Sequence, residues 1–289
     1  MPAPTTRTEL PRNAMSVDVE DYFQVQAFAG VISRDDWTSF APRVEANTDR
    51  ILELFAQAGI RATFFTLGWV AQRHPALVRR IVAGGHELAS HGYGHAPVHT
   101  LDAAAFRDDL LRARHLLEDH GGVAVHGYRA PTFSIGPRSP WAYAVLEETG
   151  HQYSSSVFPI RHDLYGEPDA PRTAFQPAGG ALWELPMTTV RLLGRNLPCA
   201  GGGYFRLLPY ALFRMGLRRV NGMEQRPGIF YFHPWEIDPG QPRVAGSGAV
   251  ARFRHTVHLS AMYGRLERLL GDFGWGRIDH VFADILAGA

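Results

Sequence analysis

Short apolar segments with the composition of β-strands alternate with segments that have the apolar spacing of α-helices. In the first part of the chain, strand-like runs at residues 14–19, 61–67 and 86–90 are separated by helical patterns at residues 48–58 and 75–83. A regular alternation of strands and helices is typical of a parallel sheet that is covered by helices. The sequence therefore predicts an α/β fold with a largely parallel sheet.

The second half of the chain continues this alternation less regularly. The patterns predict helices at residues 103–119, 140–148, 209–220 and 257–272, and strands at residues 125–129, 153–157, 181–189 and 229–233. Residues 159–180 are rich in Pro, Asp and Arg and read as a long loop. Loops of this length inside compact domains are usually functional or mobile, so this segment is a candidate part of a site.

Composition excludes several kinds of site. The formal net charge is +1 and no basic run stands out, so nothing in the sequence is suited to neutralise a nucleic-acid backbone. Cys199 is the single cysteine, which excludes an internal disulfide and a zinc site made of cysteines. A metal ion in this protein must therefore be held by histidine and carboxylate side chains.

The distribution of apolar residues indicates where in the cell the protein is located. Residues 1–13 are polar, and no apolar run of the kind found in a secretory signal precedes Met15. No stretch approaches the roughly 18 apolar residues that a membrane span requires. We therefore expect a cytoplasmic protein without a membrane-spanning segment.

Groups that bind metals or move protons follow several of the predicted strands. Asp18 lies near the end of the first strand, His91 follows the third, and Arg129 and His233 end two later strands. In barrels of parallel strands, active sites form at the C-terminal ends of the strands. This placement favours a catalytic site over a set of unrelated surface and core residues.

The spacing of these groups suits a metal-dependent hydrolase. His91 and His95 are four residues apart, and on a helical turn both imidazoles would point toward one ion. Asp18 and Glu20 alternate onto one side of a strand, whereas Asp21 would reach that side only if the strand ended before Glu20. One carboxylate would bind the metal and another would take a proton from water. Taken singly, the same residues also fit solvated histidines and an acidic turn.

Arg129 and His233 would complete such a site. A guanidinium beside a carboxylate keeps the carboxylate ionised and fixed in orientation. A histidine that follows an aromatic strand can protonate a leaving amine. The alternatives are a surface ion pair for Arg129 and a hydrogen-bonded core histidine for His233.

The order and context of these motifs resemble the polysaccharide deacetylases of carbohydrate esterase family 4, which contain the nodulation-type deacetylase domain. The resemblance extends from about residue 15 to residue 275. It implies a distorted (β/α) barrel with seven strands. It also implies that residues 1–14 are a flexible N-terminal segment and that residues 15–289 form a single catalytic domain with a C-terminal extension.

The resemblance implies roles for individual residues. Asp18 matches the catalytic base, Arg129 the residue that orients the base, and His233 the proton donor. Pro131 and Phe133 belong to the third motif, whose backbone near Thr132 and Phe133 would line the site and help to hold an oxyanion. His91 and His95 match metal ligands, with Glu20 as the third ligand and Asp21 as its alternative. The implied cofactor is a divalent metal; we expect zinc, with cobalt or another divalent ion as alternatives.

The fourth motif departs from the family pattern. Residues 153–156 read Tyr-Ser-Ser-Ser where an aspartate is expected before serine, so the acid that supports His233 is not identified. Glu184, Glu236 and Asp238 are the alternatives for that role.

Three segments, at residues 16–23, 201–209 and 232–239, are similar to the exosortase-associated exopolysaccharide deacetylases. This similarity implies a role in exopolysaccharide biosynthesis. Tyr204 and Trp235 are candidates for stacking on sugar rings, while the glycines at residues 201–203 also fit a plain flexible turn.

The expected activity is the metal-dependent removal of N-acetyl groups from amino-sugar residues of a polysaccharide or oligosaccharide. One alternative is the hydrolysis of a small cyclic amide, as in allantoinase-like relatives, because a fold does not fix its substrate. A groove lined by aromatic residues would favour the polymer, and a pocket closed by residues 159–180 would favour the small molecule. A second alternative is a carbohydrate-binding protein that has lost catalysis, which the altered fourth motif suggests.

Overall fold

The computed structural model describes residues 12–288 of the chain. Residues 1–11, most of the N-terminal segment that the sequence predicts, lie outside the described residues. Asn13, which falls within that predicted segment, instead begins the first strand. Its backbone N–H donates to the carbonyl oxygen of Gly274 at 2.9 Å, which attaches this end of the chain to the fold.

Strands and helices follow one another in the predicted order. The strands are β1 (Asn13–Val19), β2 (Thr63–Thr66), β3 (Glu87–Ser90), β4 (Gly127–Tyr128), β5 (Tyr153–Ser154), β6 (Trp183–Glu184), β7 (Thr189–Leu192), β8 (Arg195–Pro198), β9 (Ile229–Phe232) and β10 (Trp275–Gly276). The helices are α1 (Val44–Gln57), α2 (Gly68–Arg73), α3 (Pro75–Ala83), α4 (Ala103–Gly121), α5 (Ala142–Glu148), α6 (Gly202–Leu207), α7 (Tyr210–Gly222), α8 (Ala249–Thr256), α9 (Leu259–Asp272), α10 (Ile278–Val281) and α11 (Ala283–Leu286).

Seven parallel strands form a curled half-barrel in the order β9-β1-β2-β3-β4-β5-β6, and β10 pairs with the start of β1. This confirms the predicted α/β fold of distorted barrel type. Strand β1 lies between β2 and β9 and is buried along its whole length. Three of its seven residues, Asn13, Ser16 and Asp18, are polar and are buried together with the apolar ones.

A side chain from the segment between β6 and β7 contacts the outer strand β9. The hydroxyl of Thr188 donates to the carbonyl oxygen of Ile229 at 3.0 Å and accepts the Ile229 N–H at 2.6 Å. One hydroxyl therefore satisfies both backbone groups of the first β9 residue, which a neighbouring strand would otherwise do.

Several predicted elements differ from the observed ones. The strand expected at residues 181–189 is two residues of β6 followed by the separate antiparallel hairpin β7–β8. Gly201, with φ of 85°, precedes helix α6, so the glycine run begins a helix and is not a plain turn. Residues 159–180 contain a short 3-10 turn at Pro177–Gly179 and are otherwise irregular, as expected for the long loop. Within residues 12–288, no helix is long and apolar enough to span a membrane.

Candidate active site

The carboxyl ends of the strands surround a cavity of about 330 Å³ that Asp18 and Glu20 both line. Strand β1 ends at Val19, and both carboxylates are about 2% exposed. Glu20 lies one residue beyond β1 and its N–H donates to the carbonyl oxygen of Asp18 at 3.0 Å, so a turn at the end of the strand, and not strand alternation, brings Glu20 to the side of Asp18.

His91 and His95 also line this cavity, but they do not lie on a helical turn. They follow β3 in an irregular loop, where Gly92 and His95 have φ of 73° and 52°. These left-handed residues turn the loop so that the two rings lie 5.4 Å apart between centroids. The predicted convergence of the histidines holds, whereas the predicted helical geometry was wrong.

Glu20, His91 and His95 bring one ligand atom each within 4.8 Å of one another. The Nε1–H of Trp235 donates to Glu20 Oε1 at 3.4 Å. Glu20 Oε2 is buried 2.8 Å from His95 Nε2, and it has no hydrogen-bond donor when that nitrogen carries no proton. A buried carboxylate oxygen without a donor is costly, and a shared cation would satisfy it.

The protonation of these groups also suits a metal. The Nδ1–H of His91 donates to the carbonyl oxygen of Arg129 at 2.8 Å, which leaves Nε2 free as a ligand. Burial lowers the pKa of His91 to about 4, so the ring is neutral at pH 7. Burial alone would raise the pKa of Glu20, but His95 and His233 lower it to about 2. The residues present therefore fit a divalent cation.

Asp21 turns away from this group. Its Oδ2 accepts the backbone N–H groups of Arg43 and Val44 at 2.7 and 2.9 Å, at the start of helix α1, and its Oδ1 accepts the N–H of Tyr22. Carboxylates are favoured at helix N-termini because they satisfy N–H groups that have no partner within the helix. We therefore remove Asp21 from the expected ligand set and keep Glu20.

We expect Asp21→Ala to destabilise the protein by about 1–2 kcal/mol while metal content is retained, because it removes the acceptor at the start of α1. Glu20→Gln should show the opposite pattern, with little loss of stability and a clear loss of bound metal. Denaturant unfolding and metal analysis of both purified variants test this contrast. Metal loss in the Asp21 variant alone would return Asp21 to the ligand set.

Arg129 fixes the orientation of Asp18. Its Nη1 donates to Asp18 Oδ1 at 2.6 Å and to the Ser16 hydroxyl at 2.8 Å. Its Nε and Nη2 donate to the backbone oxygen and the hydroxyl of Ser155 at 3.0 and 3.1 Å. Arg129 is fully buried, so the surface ion pair considered above does not apply. Asp18 Oδ2, the oxygen that Arg129 does not bind, lies 4.0 Å from His233 Nε2.

His233 lies beside Glu20, one of the candidate metal ligands. Its Nε2 is 3.5 Å from Glu20 Oε1, and its Nδ1 is 2.8 Å from Glu236 Oε1. Burial alone would lower the pKa of His233, but the carboxylates of Glu20, Glu236 and Asp18 raise it to about 9. The imidazole is therefore protonated at neutral pH and able to donate from Nε2.

Glu236 is thus the acid beside His233 that the fourth motif does not supply. The other two alternatives are engaged elsewhere. Glu184 Oε1 accepts the N–H groups of Ser156 and Val157, and Asp238 pairs with Arg43. Glu236 was recognisable as a candidate from sequence, but its contact with His233 depends on the turn at Pro234–Ile237.

The residues predicted to bind substrate differ in their position relative to the cavity. Phe133 and Tyr204 line the cavity together with Tyr165 and Tyr231, which the sequence analysis did not single out. The N–H of Phe133 donates to the carbonyl oxygen of Ala130, so this group is not free to hold an oxyanion. Thr132 is the other residue of the backbone segment that was predicted to line the site. It lines the cavity and has a φ of 57°.

Two other predicted substrate contacts require correction. Trp235 lines the cavity, but its ring already stacks on His255 and His233 at centroid distances of 4.2 and 5.2 Å, so we assign it to the support of the site and not to stacking on a sugar. Pro131 is buried at the start of a 3-10 turn and is not among the residues that line the cavity. The long loop at residues 159–180 contributes His162, Leu164 and Tyr165 to the cavity wall. The unusual length of this loop was the only feature of the sequence that indicated a role in the site.

Comparison with known proteins identifies the first half of the chain. Residues 31–154 match the family model described as polysaccharide deacetylase. The peptidoglycan deacetylase of Helicobacter pylori is 32% identical over 131 residues, which are 45% of this chain and 44% of that protein. The chitooligosaccharide deacetylase of a Bradyrhizobium species is 36% identical over an alignment of 143 residues that covers 41% of this chain and 65% of that protein. Over this segment the chain is similar to the polysaccharide deacetylases.

The polysaccharide deacetylase match ends where a second match begins. Residues 155–283 match a model described as a domain of unknown function, DUF3473. A solved structure of a Mycobacterium smegmatis protein assigned to the polysaccharide deacetylases has 21% sequence identity, and covers 99% of this chain and 94% of that chain with a TM-score of 0.59. The likeness of fold therefore extends over both matched segments. The chain spans less than half of the Helicobacter relative and slightly less than two thirds of the Bradyrhizobium relative.

Proposed function

We propose that this protein is a metal-dependent hydrolase that removes N-acetyl groups from amino-sugar residues of a polysaccharide. The observation that carries the proposal is the convergence of Glu20, His91 and His95, with the carboxylate of Asp18 and the imidazole of His233 beside them. Amide hydrolysis needs a base for the water and an acid for the leaving amine, and this site offers both. The match of residues 31–154 to the polysaccharide deacetylase model supports this chemistry.

Glu20, His91 and His95 would hold the metal, which supplies Lewis-acid polarisation of the acetamide carbonyl. Two imidazoles and one carboxylate are a ligand set typical of catalytic zinc, which leaves a fourth position open. We therefore propose zinc as the resident ion. Related divalent ions bind the same ligand types, so a metal-replacement series belongs with the assay.

The protein side chains would move the protons. Asp18 Oδ2 takes a proton from water as the water oxygen bonds to the acetamide carbon, while Arg129 holds the other Asp18 oxygen. His233 Nε2 gives its proton to the sugar nitrogen as the carbon–nitrogen bond breaks. The products are acetate and a free amino sugar. The presence of Glu236 beside His233 argues against the alternative of an inactive carbohydrate-binding protein.

The shape and lining of the cavity bear on the substrate. Phe133, Tyr165, Tyr204 and Tyr231 give it an aromatic wall, which is suited to the apolar faces of sugar rings. A volume of about 330 Å³ is at the small end of ligand sites, and the long loop forms part of the wall. We propose one amino-sugar residue of a polymer as the group bound at the centre. We further propose an exopolysaccharide as the polymer, on the similarity of residues 16–23, 201–209 and 232–239 described above.

We expect the zinc-loaded protein to release acetate from N-acetylglucosamine oligomers, with one new amine per acetate. Removing the metal with a chelator should lower turnover by about 10³-fold or more, because several kcal/mol of charge stabilisation are lost, and zinc should restore it. Allantoin and other cyclic amides serve as the comparison substrates. Hydrolysis of the cyclic amides alone would favour the small-molecule alternative, and chelator-resistant acetate release would contradict the metal site.

A further inference from the structure

A buried arginine lies directly behind the proposed proton donor. Glu236 divides its carboxylate between two partners: Oε1 lies 2.8 Å from His233 Nδ1, and Oε2 accepts from Arg206 Nε at 2.7 Å. Both members of the Arg206–Glu236 pair are about 1% exposed. In the sequence, Arg206 lies in the segment at residues 201–209, to which the mechanism above gives no role.

Arg206 is itself held in place by the backbone near the end of helix α8. Its Nη1 donates to the carbonyl oxygens of His255 and Val257, and its Nη2 donates to that of Arg254. Carbonyl groups at a helix C-terminus lack partners within the helix and carry partial negative charge, so they favour a buried cation. The guanidinium is therefore fixed independently of Glu236, and it can serve as an anchor for that carboxylate.

The glycines before Arg206 allow this arrangement. A Cβ atom on Gly202 would lie 2.2 Å from Glu236 Oε1, and one on Gly201 would lie 2.9 Å from the ring of Tyr231. Helix α6 can therefore approach the carboxylate and strand β9 only because these positions carry no side chain. The glycine run, Arg206 and Glu236 therefore form one structural unit.

We propose that Arg206 is a positioning residue of the active site, which acts through Glu236 to hold the His233 imidazole in the orientation that donates from Nε2. The proposal rests on the proposed function, and it assigns a role to the segment described as DUF3473, which contains Arg206, His233 and Glu236. A carboxylate that holds the distal nitrogen of a catalytic imidazole fixes its tautomer and ring orientation. Without Arg206, the backbone N–H of His233, which donates to Glu236 Oε1 at 3.1 Å, would be the remaining anchor of the carboxylate, and Oε2 would be left without its charged partner.

A simple core ion pair would have a different consequence. If Arg206 only stabilised the fold, its removal would lower stability and leave the chemistry of the remaining folded protein unchanged. If it positions His233, its removal lowers kcat through that residue, with little change in KM or in metal content. The effect must then disappear when His233 is already absent, because two residues that act as a unit have non-additive effects.

The test compares Arg206→Met with Arg265→Met, in the zinc-loaded full chain acting on an N-acetylglucosamine oligomer. Arg265 is a matched control because its Nη1 also donates to backbone oxygens of this segment, those of Phe205, Arg206 and Leu208, but it does not contact Glu236. We expect Arg206→Met to lower kcat by about 10- to 100-fold, as for other residues that orient a catalytic ligand. Arg265→Met should leave kcat close to that of the parent protein. Adding Arg206→Met to His233→Ala should cause no further loss.

Glu236→Gln is a second variant in case Arg206→Met does not fold, since it keeps the shape of the side chain and removes its charge. It should also lower kcat without loss of zinc, and the exchange-protected Nδ1–H signal of His233 in the NMR spectrum should weaken. Parental kcat in Arg206→Met or in Glu236→Gln, or an equal loss with and without His233, would overturn the positioning role. Absence of acetate release by the parent protein would instead contradict the proposed function, and the NMR signal would then still report whether Glu236 holds His233.

Discussion

His91→Ala and His95→Ala are each expected to abolish zinc binding and to lower acetate release by about 10³-fold or more. Each substitution removes one of three ligand atoms that lie within 4.8 Å of one another, and with it the Lewis acid itself. The fold should persist, because both residues lie in a loop after β3 and not within the paired strands.

Metal analysis, acetate release and thermal unfolding of the purified variants test this expectation. His115→Ala is a suitable control, because His115 is an exposed histidine on helix α4, away from the cavity. Full zinc content in either the His91 or the His95 variant would show that the pair is not part of the ligand set. Loss of cooperative unfolding would require the same test in His91→Gln and His95→Gln.

Asp18→Asn is expected to retain zinc and to lower turnover by about 10²–10⁴-fold, because an amide cannot take the proton from water. The amide oxygen can still accept from Arg129, so the orientation of the side chain should be preserved. KM should change little, since the substitution removes a group that acts in the reaction and not in ground-state binding.

The matched control for Asp18→Asn is Ser155→Ala, which removes another acceptor of Arg129 without touching the proposed base. A much smaller loss in the Ser155 variant would assign the effect of Asp18→Asn to proton transfer. Equal losses in the two variants would mean that Asp18 matters mainly as a partner that keeps Arg129 in place. Rate and zinc content should be measured on the same preparations.

The sequence predicted those parts of the fold and site that depend on local pattern. Strand β1 and helix α4 have strong apolar patterns, and both were recognised within two residues at each end. Strand alternation predicted that Asp18 and Glu20 share one side, and both line the cavity, although Glu20 lies in a turn one residue beyond β1. Strands β4 to β6 were overestimated, because each pairs over two residues only and the flanking apolar residues pack without forming a ladder.

Other parts of the site depend on contacts between distant segments, which no local pattern records. Asp21 lies beside Glu20 in the sequence, yet its direction is decided by helix α1 more than twenty residues later. Glu236 is distinguished from Glu184 and Asp238 by the turn after β9. Arg206 is recognisable only when helix α6 is seen against Glu236. Tertiary hydrogen bonds therefore decided each assignment that the sequence left open or missed.

The pairing of β1 with both β2 and β9 has a consequence for how the protein is made. The Ser16 hydroxyl donates to the carbonyl oxygen of Phe230, across 214 residues of sequence, whereas β2 lies much closer in the chain. Contacts of such long range form late, because the loop between them is costly to close until the intervening chain has folded. During synthesis from the N-terminus, the residues that would hold the metal and activate water emerge more than one hundred residues before His233. The hydrolytic centre that we propose can therefore be completed only when β9, which directly precedes His233, has docked beside β1.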